Sequence, residues 1–289
     1  MIRRIRRFIF HELVYNGHLQ SLGAVSIYWI SALLINIHPL FVELVIIYLL
    51  FQSIFLFDRY RGFSGDIETN KARSNHLSIY LNKIPLLILT MLVLMFSLAY
   101  INNGLRAVLF VIIIGILGFL YPIYMKDMTK KVWLFKNVYV SVVYGVLVFS
   151  HVYLHDTYVL VDYSLIHYMF FAVIVFESMV NQITLDIKDE VADRKNRLLT
   201  LPALIGSIKT VNLIRGLVVT SAALYVVLSL YFKFNLLLIL IVSASVGINL
   251  LIIRLISKKP LYSYILSACK FSTWLLVLFF ANVLVINVT

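Results

Sequence analysis

Four acidic residues, Asp186, Asp189, Glu190 and Asp193, fall within eight positions of a chain that holds only 13 Asp and Glu among 289 residues. A looser set lies upstream, at Asp58, Asp66 and Glu68. If one helix runs through 186–193, a turn of 100° per residue puts all four side chains within a wedge of about 100°. Like charges aligned in this way repel one another and weaken a helix, so the spacing calls for a positive partner. Lys188, Arg194, Lys195 and Arg197 supply part of it. A hard divalent cation such as Mg2+ supplies it better, because it takes carboxylate oxygens and keeps water and phosphate oxygens as its other ligands. The neighbouring Lys and Arg side chains are suited to those same phosphate oxygens. The plain alternative is a solvated helix end of mixed charge.

The elements that must position these acids are apolar. Hydrophobic residues make up 62% of the chain and charged residues 13%, against roughly 25% charged in soluble domains. Mean hydropathy is +0.97. This excess predicts an all-α integral membrane protein, read as a single domain over 1–289, rather than a water-soluble core. Nine stretches approach the length of a bilayer crossing: 19–37, 39–57, 84–101, 106–124, 134–154, 164–185, 210–232, 234–253 and 262–286. The expectation is nine transmembrane helices bundled around a central cavity.

The net charge of +12 does not point to nucleic acid, because the basic residues sit in alternate loops. Arg3, Arg4, Arg6 and Arg7 precede the first stretch, and further Lys and Arg cluster at 58–83, 125–133, 186–209 and 254–261. The intervening loops hold little beyond Arg106 and Lys233. By the positive-inside rule the N-terminus and both acidic segments face the cytoplasm and the C-terminus lies outside. The lone Cys269 excludes an intrachain disulfide. The arginines before Phe8-Ile9-Phe10 lead into too short an apolar run for a cleaved signal, so the first span is the expected targeting signal.

The stretch from Asp186 through Asp189, Asp193, Arg194 and Lys195 to Thr200-Leu201-Pro202 resembles the second aspartate-rich motif of the UbiA superfamily of intramembrane prenyltransferases. Its pattern is D-x-x-D-x-x-x-D, a basic pair, then T-L-P, and it matches without a gap; Arg197 stands where glycine is common. Gly118 to Lys126, with Tyr121 inside it, resembles the family's end of span four, and Lys136-Asn137 the start of span five. The first motif departs from N-D-x-x-D-x-x-x-D. Phe57 precedes Asp58, Arg61 stands at the second aspartate position and Gly65 at the third, with Asp66 one residue later.

The resemblance implies a Mg2+-dependent enzyme that moves a prenyl group from a polyprenyl diphosphate to a lipophilic or aromatic acceptor, a quinone precursor by commonest role. A glycerol-phosphate ether-lipid acceptor is the nearest rival, and cyclisation of the prenyl chain a third outcome. It implies a multi-pass protein of a bacterial or archaeal cell membrane, with its active site toward the cytoplasm. Asp58, Asp66, Asp186, Asp189 and Asp193 carry over as metal-holding catalytic residues. Lys71, Arg73, Tyr121, Lys126, Arg194 and Asn181 are the candidates for substrate contact.

Charges inside spans are functional candidates by default. Arg215 is close enough to a span end to snorkel. Glu43 also lies within a span, Lys270 lies deeper, and Glu177 with Asn181 stands one turn apart, either lining an acceptor cavity or bonding between helices. His151 and His155 have a metal-like spacing but no nearby acid except Asp156, which favours interfacial histidines. A transporter would concentrate its polar groups near the midplane, whereas this chain concentrates them in two loops. The irregular first motif also admits a relative that binds isoprenoid without turnover.

Overall fold

The computed structural model describes residues 2–34, 37–155, 165–232, 236–256 and 258–286. Asp156 and Lys233 lie outside the described residues. Every regular element among those described is helical. In chain order they are α1 (Ile2–Tyr15), α2 (His18–Leu33), α3 (Phe41–Thr69), α4 (Lys71–Leu77), α5 (Ile84–Leu120), α6 (Lys126–Met128), α7 (Phe135–Val146), α8 (His151–Leu154), α9 (Leu165–Asp186), α10 (Glu190–Lys195), α11 (Leu201–Ile205), α12 (Ser207–Phe232), α13 (Leu236–Ile256) and α14 (Pro260–Ile286).

Among the described residues, six helices, α3, α5, α9, α12, α13 and α14, are long and apolar enough to cross a membrane. Their outer faces carry exposed apolar side chains, as at Leu86, Leu89, Val93 and Ile101 on α5. Water would not tolerate so extensive a patch, and a lipid environment does. The protein is therefore a multi-pass integral membrane protein.

The stretches 84–101 and 106–124 share α5, which is not one straight rod. Asn103 and Gly104 leave helical geometry, Gly104 at φ 56°, a sign that glycine adopts without steric cost. In a straight helix Ile84 and Phe119 would stand about 50 Å apart, yet both pack in one apolar cluster with Leu56 and Leu77. The chain thus doubles back at the break, where the Asn102 and Asn103 amides donate to the carbonyls of Leu154, Tyr153 and His155.

Two local expectations change. The segment after residue 57 is not a loop, because α3 continues to Thr69; Arg59 and Arg61 are good helix formers and no proline interrupts it, so the cost of Gly62 and Gly65 is tolerated. The 186–193 segment is not one continuous helix, since α9 ends at Asp186 and a single 3-10 turn, Ile187–Asp189, leads into α10.

Buried charges are paired between helices. Glu43 accepts from Tyr28 Oη and from the Leu40 amide, each at 2.8 Å, and meets His155 Nδ1 at 2.9 Å. It therefore caps the start of α3 and fastens it to α2 and the chain after α8. Glu177 on α9 takes Lys270 Nζ of α14 and Asn249 Nδ2 of α13, the latter at 2.8 Å. Asn181 donates to the Ser267 carbonyl at 3.1 Å. Of the two roles open to Glu177 and Asn181, the bond between helices is the one observed.

Glu12 on α1 gathers His76 Nε2 at 2.7 Å, Tyr80 Oη at 2.8 Å and His18 Nε2 at 3.3 Å. This joins α1 to α2, α4 and the turn after it. Burial alone would push this carboxyl up, but its hydrogen bonds with His18, Asn16, His76 and Tyr80 outweigh burial and hold it down at about 2. A carboxyl lowered on folding contributes stability in full above its ordinary 4.5 and loses it as pH falls toward the folded value. Between about pH 6 and 3 the detergent-solubilised protein is expected to lose more thermal stability than its Glu12→Gln variant. Parallel melting curves across that range would remove Glu12 as a charged fastening.

Candidate functional site

One face of α3 presents Asp58, Gly62, Gly65, Asp66 and Thr69 to a cavity of about 300 Å3. Because α3 is helical throughout, Asp58 and Asp66 lie two turns and about 80° apart on that face, and no inserted residue is needed to bring Asp66 inward. The glycines between them leave open space where a side chain would stand.

Asp186, Asp189 and Asp193 line the same cavity from the end of α9, the 3-10 turn and α10. Glu190 does not. Its carboxylate accepts from the Ser207 amide at 3.0 Å and from Ser207 Oγ, and it pairs with Arg194 at 2.9 Å. The turn that interrupts the helix thus sends the fourth acid to the start of α12, where an acid suits the helix dipole.

The Thr-Leu-Pro step has a local function. Thr200 Oγ1 donates to Asp193 Oδ2 at 2.9 Å, and Pro202 occupies the first turn of α11. Between them the chain reverses at Arg197, whose φ is 56°. That left-handed conformation is the one glycine favours, which is the physical reason glycine suits this position.

The carboxylates have different partners. Asp66 receives a forked pair from Arg73, with Nε at 2.6 Å. Asp186 receives Lys136 Nζ at 2.5 Å and Asn137 Nδ2 at 2.9 Å. Asp58 meets Arg59 Nη1 at 3.2 Å. Asp189 accepts no hydrogen bond from any described residue. Burial pushes the Asp193 carboxyl, seven residues beyond the end of α9, up to about 6; Asp186 and Asp189 add to this and Lys136 opposes it. Burial, more than its acidic neighbours, is thus what disfavours the ionised form of Asp193.

Tyr121, Lys126 and Arg73 line the cavity as expected. Tyr121 opens a π turn, Tyr121–Met125, that contains Pro122, an interruption frequent at functional sites. Lys71, Arg194 and Asn181 do not line it: Arg194 is held by Glu190 and Asn181 by Ser267. Three other cations do, Arg59, Lys136 and Lys188. Arg59 Nε is buried without a hydrogen-bond partner, and the Lys188 ammonium stands 4.5 Å from the ring centre of Tyr264. Arg59 and Lys188 each stand next to an aspartate in sequence, and that adjacency is the signal that could have found them; Lys136 has no such neighbour and is marked only by the Lys136-Asn137 pair.

The remaining wall is apolar and aromatic, from Phe51, Ile54, Phe55, Val140 and Val143. The donor set suits a hard cation, being carboxylate oxygen throughout. Among the described residues no three His, Cys, Asp or Glu converge closely enough to enclose a bare ion. Mg2+ tolerates this, because it is held by one or two carboxylates and completes its shell with water and phosphate oxygens. The Asp189 carboxylate, which takes no hydrogen bond from any described residue and lines the same cavity as Asp193, gives such an ion a place among these residues.

A model of the UbiA prenyltransferase family matches residues 79–264. No curated protein sequence matches the chain. Among solved structures, an apo UbiA homolog from Aeropyrum pernix K1 is similar at TM-score 0.66 and 13% identity, over 89% of this chain and 97% of that one. A UbiA homolog from Archaeoglobus fulgidus bound to GPP and Mg2+ is similar at TM-score 0.61 and 14% identity, over 92% and 99%. A digeranylgeranylglyceryl phosphate synthase is similar at TM-score 0.52 and 16% identity, over 94% and 95%.

Proposed function

Because the chain belongs to the UbiA prenyltransferase family, we propose that it is a Mg2+-dependent intramembrane prenyltransferase that transfers a prenyl group from a polyprenyl diphosphate to a lipophilic or aromatic acceptor. The observation that carries this reading is the meeting of Asp58, Asp66, Asp186, Asp189 and Asp193 with Arg59, Lys126, Lys136 and Lys188 around one cavity that has an apolar wall. The Archaeoglobus homolog bound to GPP and Mg2+ supports both ligands.

In this reading Asp58, Asp189 and Asp193 hold the metal directly or through water. Asp66 and Asp186 orient Arg73 and Lys136 as well. Arg59, Lys126 and Lys188 meet the phosphate oxygens, the orphaned Arg59 Nε gaining a partner. Mg2+ supplies charge neutralisation that makes diphosphate a competent leaving group. The apolar wall takes the isoprenoid chain and keeps water from the allylic carbon, while aromatic faces stabilise positive charge there.

The family topology and the loop charges support nine crossings, made by α2, α3, the two arms of α5, the α7–α8 segment, α9, α12, α13 and α14. They also support a cytoplasmic N-terminus and a site open to that side. A quinone precursor is the first acceptor class to test and a glycerol-phosphate ether lipid the second.

The test is release of pyrophosphate from prenyl diphosphates of several chain lengths, with each acceptor class, and identification of the product by mass. A prenylated acceptor that appears only with Mg2+ is the expected result. Bound diphosphate with no turnover for any chain length or acceptor would make the protein an isoprenoid-binding relative instead.

A further inference from the structure

One corner of the cavity holds a polar pair that carries no formal charge. Gln20 on α2 and Tyr264 on α14 both line it and bond to each other, Nε2 to Oη at 3.1 Å. Gln20 Oε1 is buried and has no hydrogen-bond partner. Tyr264 makes no other side-chain hydrogen bond among the described residues, so its own proton is unused. Lys188 lies over the Tyr264 ring, which sets this corner directly beside the Asp186–Asp189 turn. The Tyr144 hydroxyl, also in the cavity wall, meets the Gln20 carbonyl at 3.4 Å and steadies the start of α2.

The pair keeps both a free donor and a free acceptor whichever way round the amide is assigned. With Nε2 toward Tyr264, the free groups are Tyr264 O–H, the second Gln20 N–H and Gln20 Oε1. With Oε1 toward Tyr264, they are both Gln20 N–H groups and a lone pair on Tyr264 Oη. An ionised phosphate or carboxylate brings only acceptors and leaves the free acceptor unmatched, and an ammonium brings only donors. A hydroxyl brings both, and its oxygen is further favoured by the nearby Lys188 ammonium. We propose that Gln20 and Tyr264 form the acceptor subsite of this cavity and recognise a free hydroxyl, alcoholic or phenolic, on the molecule to be prenylated. The proposal rests on the prenyltransferase reading and narrows it, since it makes the acceptor a hydroxyl compound and assigns both residues as positioning groups.

Matched pairs test it on the full-length protein, with Mg2+ and geranyl thiodiphosphate present as a non-reacting donor. One pair is 4-hydroxybenzoate and 4-methoxybenzoate; the other is an alkylglyceryl phosphate with its hydroxyl free or methylated. Binding is read by titration for wild type, Tyr264→Phe and Gln20→Met, and the same experiment reads donor affinity. Wild type is expected to prefer the free hydroxyl of at least one pair by about tenfold, the worth of one or two hydrogen bonds. In each variant that preference falls to within about twofold while donor affinity is kept. Equal binding of both members of each pair to wild type overturns the subsite, as does a preference that survives in both variants. Loss of donor binding in the variants would reassign the pair to the diphosphate site. Failure of wild type to bind the thiodiphosphate at all would instead be a failure of the prenyltransferase reading.

Discussion

Asp189→Ala is expected to lower Mg2+-dependent pyrophosphate release by about a thousandfold, the scale seen when one preorganised electrostatic group is removed from a reacting site, and to leave the protein folded. Asp189 is the cleanest of the five aspartates to remove. It lines the cavity and takes no hydrogen bond from a described side chain, although its charge faces Lys188 and Arg59. Asp186→Ala, by contrast, would strand the Lys136 ammonium and the Asn137 amide, and Asp66→Ala would release Arg73; a lost rate in either variant would mix chemistry with folding. Removal of Asp189 lowers the negative charge around Asp193 and takes a counter-charge from Lys188 and Arg59; these effects oppose each other, so the variant should melt close to wild type. Release rate and melting temperature, measured on the same preparation, separate the two effects. Activity within tenfold of wild type would remove Asp189 from the metal-holding set.

Glu177→Leu is expected to destabilise the helix bundle by about 3–5 kcal/mol, the cost of leaving a buried charge without its partner. Lys270 is fully buried, and among the described residues its ammonium meets only the Glu177 carboxylate and backbone carbonyl. Asn249 would lose the nearer of its two acceptors in the same step. In hydrocarbon there is no water to take over these groups. The double variant Glu177→Leu, Lys270→Met should recover most of the loss, because an apolar pair of similar volume needs no counter-charge. Unfolding in mixed micelles measures both. A single variant within about 1 kcal/mol of wild type would mean that the pair is worth no more than a surface ion pair, and a double variant as unstable as the single would place the cost in packing.

The aspartates were legible because charge is scarce in this chain. An acid in a sequence this apolar needs a reason, and two clusters at span ends supply one. The Thr-Leu-Pro continuation was legible too, and the structure gives it a physical role in the Thr200–Asp193 bond. The path of the backbone between the acids was not. No Gly or Pro marks the turn at Ile187–Asp189, so a continuous helix was the natural reading, and it put Glu190 in the wrong place. At Asn103–Gly104 the opposite holds, since a glycine between two apolar runs announced the break.

Cations were harder to place than acids. Lys and Arg are long and abundant, and their sequence position says little about which pocket they reach. Lys71 and Arg194 looked suitable and lie outside the cavity, while Arg59 and Lys188 lie inside it, one residue from an aspartate. Gln20 and Tyr264 are 244 positions apart, and nothing local could have joined them. Their pairing follows only from the packing of α14 on α2.

The central claim is that five aspartates and a ring of cations form a metal-dependent diphosphate site. Titration of Mg2+ into the metal-free protein with a prenyl diphosphate tests it most directly. Pyrophosphate release should rise from background to saturation with added Mg2+ and return to background with chelator. Release that proceeds at the same rate with chelator throughout would contradict it.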